Sequence, residues 1–250
     1  MRRTLLVLPL VLALAACGKS SPKIDNATVL RDSVTKAAAT SSKVDFTVAT
    51  AAAGQDVTTK GTGAFDGSTG EMSLTVAGQT VQERITGGVV YLQLPGQSGW
   101  YVVKLSDIVG TSFQASSNPG DSAAFLLAAD KNVTKVGSEK VRGASTTHYR
   151  GTVPLDAQHL AKIGGIARNA IQKLVDSGTT AIPFDAWVDD KGRLVKMTET
   201  VDVTVSAVRA HVVTTLERYD FGTKVDVVAP PKDEQKDGSQ IVAALKSQTG

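Results

Sequence analysis

One thiol, three imidazoles and a scatter of hydroxyls and carboxylates are what this 250-residue chain offers to chemistry. Cys17 is the single cysteine, and it directly follows Leu14-Ala15-Ala16. A thiolate is a nucleophile that can be alkylated, and small residues before it suit a signal peptidase. One cysteine can form no disulfide within the chain and cannot complete a cysteine-rich zinc site. His148, His159 and His211 lie in no zincin spacing. His148 and His211 are expected in strands and His159 at a helix start, with solvated or hydrogen-bonded roles. Gly18-Lys19-Ser20 imitates the end of a phosphate-binding loop, but Ala13 stands where that motif needs glycine and no strand precedes it. Gly61 to Gly67 misses the dinucleotide fingerprint by spacing, and no helix follows. A strand with close backbone approach explains those glycines better. Ser98, in Gly96-Gln97-Ser98-Gly99, is not in a nucleophile elbow. Asp189 and Asp190 share a predicted turn, where aspartate serves local hydrogen bonds. No catalytic residue, metal ligand or cofactor site is assigned, and the chain reads as a non-enzyme.

The apolar run from Thr4 to Ala16 is about thirteen residues long. Crossing a bilayer as a helix takes roughly twenty. A basic start at Arg2-Arg3, a short apolar stretch and small residues before the cut form a signal peptide over 1–16. An ordinary secretory signal with an incidental cysteine is the alternative. The layout resembles the lipobox of bacterial lipoproteins, in which cleavage precedes the cysteine and its sulfur carries a diacylglycerol. That resemblance implies a lipid-anchored protein on the extracytoplasmic face of the cell membrane. Each buried methylene contributes about 0.8 kcal/mol, so two chains give stable anchoring. Residues 17–24 then form a lipidated tether. Its polar stretch from Gly18 to Lys23 reaches about 20 Å at about 3.3 Å per residue.

The net charge is +3, and two of those charges belong to Arg2 and Arg3. The mature chain is therefore nearly neutral, which removes the electrostatic case for nucleic acid. Stability must come from core burial. Asp25 or Asn26 is placed to cap a helix running to about Ala39. Six strands with turn residues between them follow, from Val44-Phe46-Val48 through Trp100–Val103, and read as an antiparallel meander. A polar stretch over 111–120 and a short helix at 122–127 interrupt them. Strands near Val133–Val141 and Thr146–Val153 come next. Then comes a helical region holding Leu160, Ile163, Ile166 and Ile171, broken at Gly164-Gly165. Three more strands occupy Ile182–Val188, Leu194–Val205 and Val208–Phe221. The expected fold is α+β: one large curved antiparallel sheet, a half-barrel, with a few helices packed on its concave side. It forms a single domain over 25–229, and 230–250 is expected to be a flexible tail with at most a brief helix near Ile241–Leu245.

Three pieces resemble the LppX/LprG-type lipoproteins of actinobacteria, the LppX_LprAFG family. They are Asn118-Pro119-Gly120-Asp121 before a short apolar helix, the strand Val141 to Val153 with Thr147-His148-Tyr149-Arg150, and Ile182-Pro183-Phe184-Asp185-Ala186-Trp187-Val188-Asp189. The likeness covers most of the mature chain in order of elements. It implies a LolA/LolB-like fold, a hydrophobic cavity, and binding of an acylated lipid or lipoglycan moved through the envelope, with an envelope transporter as a possible partner. It implies no catalytic residues.

The residues themselves support that reading through the scarcity of bulky inward groups. Phe46, Val48, Leu74, Val76, Val90, Leu92, Phe125, Leu126, Ile166 and Ile171 are the candidate wall of a lipid cavity. The bland reading is that the same residues form a filled core. A non-catalytic envelope module binding another protein is the alternative function.

Overall fold

Two meanders joined along one seam make the sheet. The computed structural model describes residues 25–108, 122–205 and 208–247. Cys17, the tether, the polar stretch over 111–120 and the Asn118–Asp121 motif lie outside the described residues, as does the side chain of Ile166.

Asp25 accepts hydrogen bonds from the N–H and Oγ1 of Thr28, each at 2.8 Å, and so starts α1 (Asn26–Ala38). These bonds hold its carboxyl below the usual carboxylate range. Ala27, Leu30, Val34 and Ala37 recur at helical spacing and are buried. The first meander follows: β1 (Ser42–Ala52), β2 (Gln55–Asp66), β3 (Thr69–Val76), β4 (Gln79–Thr86), β5 (Val89–Gln93) and β6 (Trp100–Lys104). Its hairpins are tight because Ala53-Gly54 and Ala77-Gly78 both take positive φ, at 51/75° and 49/78°. That mirror-image turn matches the twist of the flanking strands, and glycine adopts it without strain.

Two 3-10 helices come next, Leu105–Ile108 and Ala124–Ala128. The second meander comprises β7 (Thr134–Val141), β8 (Ala144–Pro154), β9 (Ala181–Asp189), β10 (Leu194–Val205) and β11 (Val208–Tyr219). Between β8 and β9 lie α2 (Ala157–Leu160) and α3 (Gly165–Asp176). Asp156 caps α2, its carboxylate accepting the His159 N–H at 2.9 Å. Gly164 stands in extended backbone at the start of α3, so the glycine pair separates two helices.

The strand order is β12-β6-β5-β4-β3-β2-β1-β11-β10-β9-β8-β7, where β12 is Gln235–Asp237. The seam is β1 against β11, with Phe46 opposite Leu216 and Val48 opposite Thr214. Among the described strands only β12 pairs in parallel, with β6. The α+β architecture is a large curved sheet with helices on its concave side. The cover is tied down by polar bonds. Asn26 Nδ2 donates to the Val133 carbonyl at 3.0 Å, and Arg31 Nη1 donates to the Ala129 carbonyl at 2.6 Å.

Residues 230–247 depart from the flexible tail expected over 230–250. Lys232–Glu234 is a 3-10 turn, β12 extends the sheet beyond β6, and α4 (Ser239–Ser247) follows. The physical reason is twofold. An edge strand presents unpaired backbone groups that a short strand can satisfy. Ile241, Val242 and Leu245 also give α4 an apolar side that packs against the core.

Candidate functional site

Strand parity defines the concave face. From the seam outward, one row reads Leu74, Gly61, Phe46, Leu216, Met197 and Ala186. Residues two positions away along each strand form the rows above and below. Towards the end where α1 covers the sheet, these positions are sealed. Val44, Phe65, Met72, Ile85, Val90 and Leu92 are all buried. Glycine assists there, because the Phe65 ring lies directly over Gly70 and the Phe184 ring over Gly151. Phe125 meets Phe184 edge to face with centroids 6.0 Å apart.

Towards the other end of the strands, the same face opens. Val57, Val76 and Val208 are 45%, 40% and 44% exposed, although each has inward parity. Val48, Val81, Val203 and Val212 are partly buried behind them and pack against the core. The concave side thus has a filled half and an apolar open half. Val57 and Val76 are diagonal neighbours on β2 and β3, and Val208 lies beyond β1 on β11.

Phe46, Leu74, Val90, Leu92, Phe125, Leu126 and Ile171 all belong to one buried cluster. Val48 sits at its margin and Val76 at the open end. Ile166 lies on α3. The structure brings most of the candidates together on one side of one sheet.

Three ionisable groups share this face and were not singled out from sequence: Glu83, Arg218 and Glu199. The available signal was position. Glu83 falls two residues before Ile85, Glu199 two after Met197, and Arg218 two after Leu216, all with inward parity. Glu83 is 1% exposed. Arg218 is buried and donates from Nε to Ser42 Oγ at 3.1 Å. Burial pulls its guanidinium down to about 10, so it stays charged at neutral pH.

Glu199 stands in the row of Val48 and Thr214, where the face begins to open. Protein surrounds it, yet part of its side chain still meets solvent. Burial pushes its carboxyl up to about 7, against a hydrogen bond from Thr214 that lowers it. A folded-state value above the unfolded one means the ionised form is penalised in the fold. Stability is therefore retained below about pH 4.5 and lost as pH rises through about 7. Glu199→Gln should leave urea stability unchanged at pH 4 and raise it at pH 8.5. Each unit corresponds to about 1.4 kcal/mol, and the remaining solvent contact reduces the sum, so the gain should be about 1–3 kcal/mol. Equal stabilities of the two proteins at pH 8.5 would show that the carboxylate is solvated.

The histidines take the elements expected of them and meet carboxylates. His148 on β8 stacks on Trp187, with Nε2 2.5 Å from Asp185 and Nδ1 3.2 Å from Glu139. His159 lies between Asp156 and Asp130, and His211 Nδ1 is 2.9 Å from Asp202. Asp189 accepts the N–H groups of Lys191 and Arg193, closing the β9–β10 turn. Among the described residues, no group of three or more His, Cys, Asp or Glu side chains is placed to hold a metal. No helix among them is long and apolar enough to cross a membrane.

The chain is similar to several known proteins. A family model described as LppX_LprAFG lipoprotein matches residues 23–227. A 31.2 kDa protein from the rplA–rplJ intergenic region of Streptomyces griseus is 31% identical over 160 residues, covering 60% of this chain and 46% of the relative. The chain thus spans about half the length of that relative. LprF of Mycobacterium bovis has a crystal structure with a TM-score of 0.46 at 16% identity, over 82% of this chain and 96% of that one. The lipoprotein LppX of Mycobacterium tuberculosis gives 0.44 at 17% identity, over 81% and 97%.

Proposed function

This chain belongs to the LppX_LprAFG lipoprotein family, and on that premise we propose that it binds the acyl chains of a lipid or lipoglycan in its concave face and carries or presents them in the cell envelope. One observation supports this reading above the others. The open half of the concave face exposes Val57, Val76 and Val208 in front of a continuous apolar core. An acyl chain laid there removes apolar surface from water at about 25 cal/mol per Å². The binding wall runs from Val76 and Val48 at the opening towards Phe46 and Leu74, with α3, which carries Ile166 and Ile171, on the helical side. Chemistry is not needed for this task, and the protein works as a non-enzyme. Native mass spectrometry after mild extraction should find a co-purifying lipid. A protein that emerges lipid-free and takes up no acylated probe contradicts the proposal.

The anchor belongs to the same reading. Diacylglycerol on Cys17 holds the mature protein at the extracytoplasmic membrane surface. Cys17→Ser should move the protein into the soluble fraction or leave it unprocessed. Wild-type membrane retention of that variant after a carbonate wash would remove the anchor from the account.

A further inference from the structure

The opposite, outward face of the first meander holds a separate pocket of about 460 Å³. Side-chain size along two outward rows creates it. One row crosses the sheet as Tyr219, Lys43, Ala64, Glu71 and Arg84. The other crosses as Thr62, Ser73, Gln82 and Gln93 and ends at Trp100. The central strands β2 and β3 contribute small Ala64, Thr62 and Ser73 as a floor. Long side chains on β1 and β11 form one wall, and those on β4, β5 and β6 form the other.

The wall chemistry is specific. The Arg84 guanidinium lies 4.5 Å above the centre of the Trp100 ring. Stacking uses the flat face of the guanidinium and leaves its edge donors free. Glu71, the cross-strand neighbour of Arg84, lines the same trough. Across the trough, Lys43 Nζ pairs with Asp220 at 2.8 Å and remains 47% exposed. Gln82 accepts from Ser73 Oγ at 2.5 Å through its carbonyl oxygen. Its amide N–H groups are left available. Gln93 adds a second carboxamide beside it.

We propose that this pocket binds an acidic saccharide, with its anionic group on Arg84 and its hydroxyls on Gln82, Gln93 and the floor hydroxyls. A bare inorganic anion would leave the carboxamides and hydroxyls unused. A neutral sugar would leave the free edge of Arg84 unanswered. The volume falls within the about 300–1,000 Å³ of small-molecule sites. The site lies across the sheet from the apolar face and does not depend on lipid binding there.

Calorimetric titration of the detergent-solubilised full chain with trigalacturonate, maltotriose and inorganic phosphate tests this. Trigalacturonate should bind at least tenfold more tightly than either of the others. Arg84→Gln and the double variant Gln82→Ala/Gln93→Ala should each weaken it at least tenfold. Urea midpoints identify a variant that fails to fold, and the other variant then decides. Lipid co-purification should be unchanged in both, so failure here is distinguishable from failure of the lipid reading. No trigalacturonate binding overturns the proposal. So does phosphate binding of equal strength, or binding that neither folded variant weakens.

Discussion

Replacing Val57 and Val76 together by Asp should reduce uptake of an acylated probe more than tenfold while costing no more than about 2 kcal/mol of folding stability. The asymmetry follows from position. Both side chains have inward parity but are 45% and 40% exposed, so the folded protein loses little packing when they change. A bound acyl chain would cover them. It would then lie against two carboxylates deprived of water, and burying even a neutral polar group without a partner costs about 1–3 kcal/mol. A tenfold change in affinity needs only about 1.4 kcal/mol. Fluorescence titration with an acylated probe, paired with urea unfolding, separates the two effects. Uptake that persists at wild-type strength in the folded double variant would show that acyl chains do not use this end of the face.

Phe125→Ala should destabilise the protein by about 3–5 kcal/mol. Phe125 is 2% exposed and is the largest fully buried side chain among the described residues. It belongs to the 3-10 helix Ala124–Ala128, which has no side-chain cap. So short an element has little stability of its own, and packing must hold it. Phe125 supplies that packing by meeting Phe184 edge to face, and the Phe184 ring in turn occupies the space that a side chain at Gly151 would need. Removing the ring leaves a cavity between that 3-10 helix and β9. Urea unfolding measures the loss. A cost below about 1 kcal/mol would mean that the surroundings collapse to refill the site.

These two variants probe the two halves of the concave face, and the halves differ in how legible they were. The alternation of Met72, Leu74 and Val76 marks β3 and its inward parity, and the pairing register shows all three on the concave side. The same alternation says nothing of where along the strand the cover stops. Met72 is 2% exposed and Val76 is 40% exposed, four residues apart on one face. That gradient depends on cover brought over the strand from elsewhere in the chain. Glu199 and Arg218 were missed because each breaks an apolar parity and reads locally as an outward polar residue. Their burial is decided by strands and helices brought over them.

Local signals determined a good deal. Ala77-Gly78 and Gly87-Gly88 marked hairpin turns because few other residues take positive φ. Asp25 and Asp156 marked helix starts through short-range hydrogen bonds. Leu14-Ala15-Ala16-Cys17 supports the proposed lipid anchor through its resemblance to a lipobox. Each of these rests on interactions within a few residues, so the chain alone carries them. The β1–β11 seam, the β12 strap on β6, the outward trough and the boundary between sealed and open apolar surface were decided only by the tertiary structure. They join residues as distant as Lys43 and Tyr219, or Trp100 and Gln235. A period-two pattern states that a strand has two faces. Which neighbour it takes and what covers each face depend on contacts whose partners lie outside any local window.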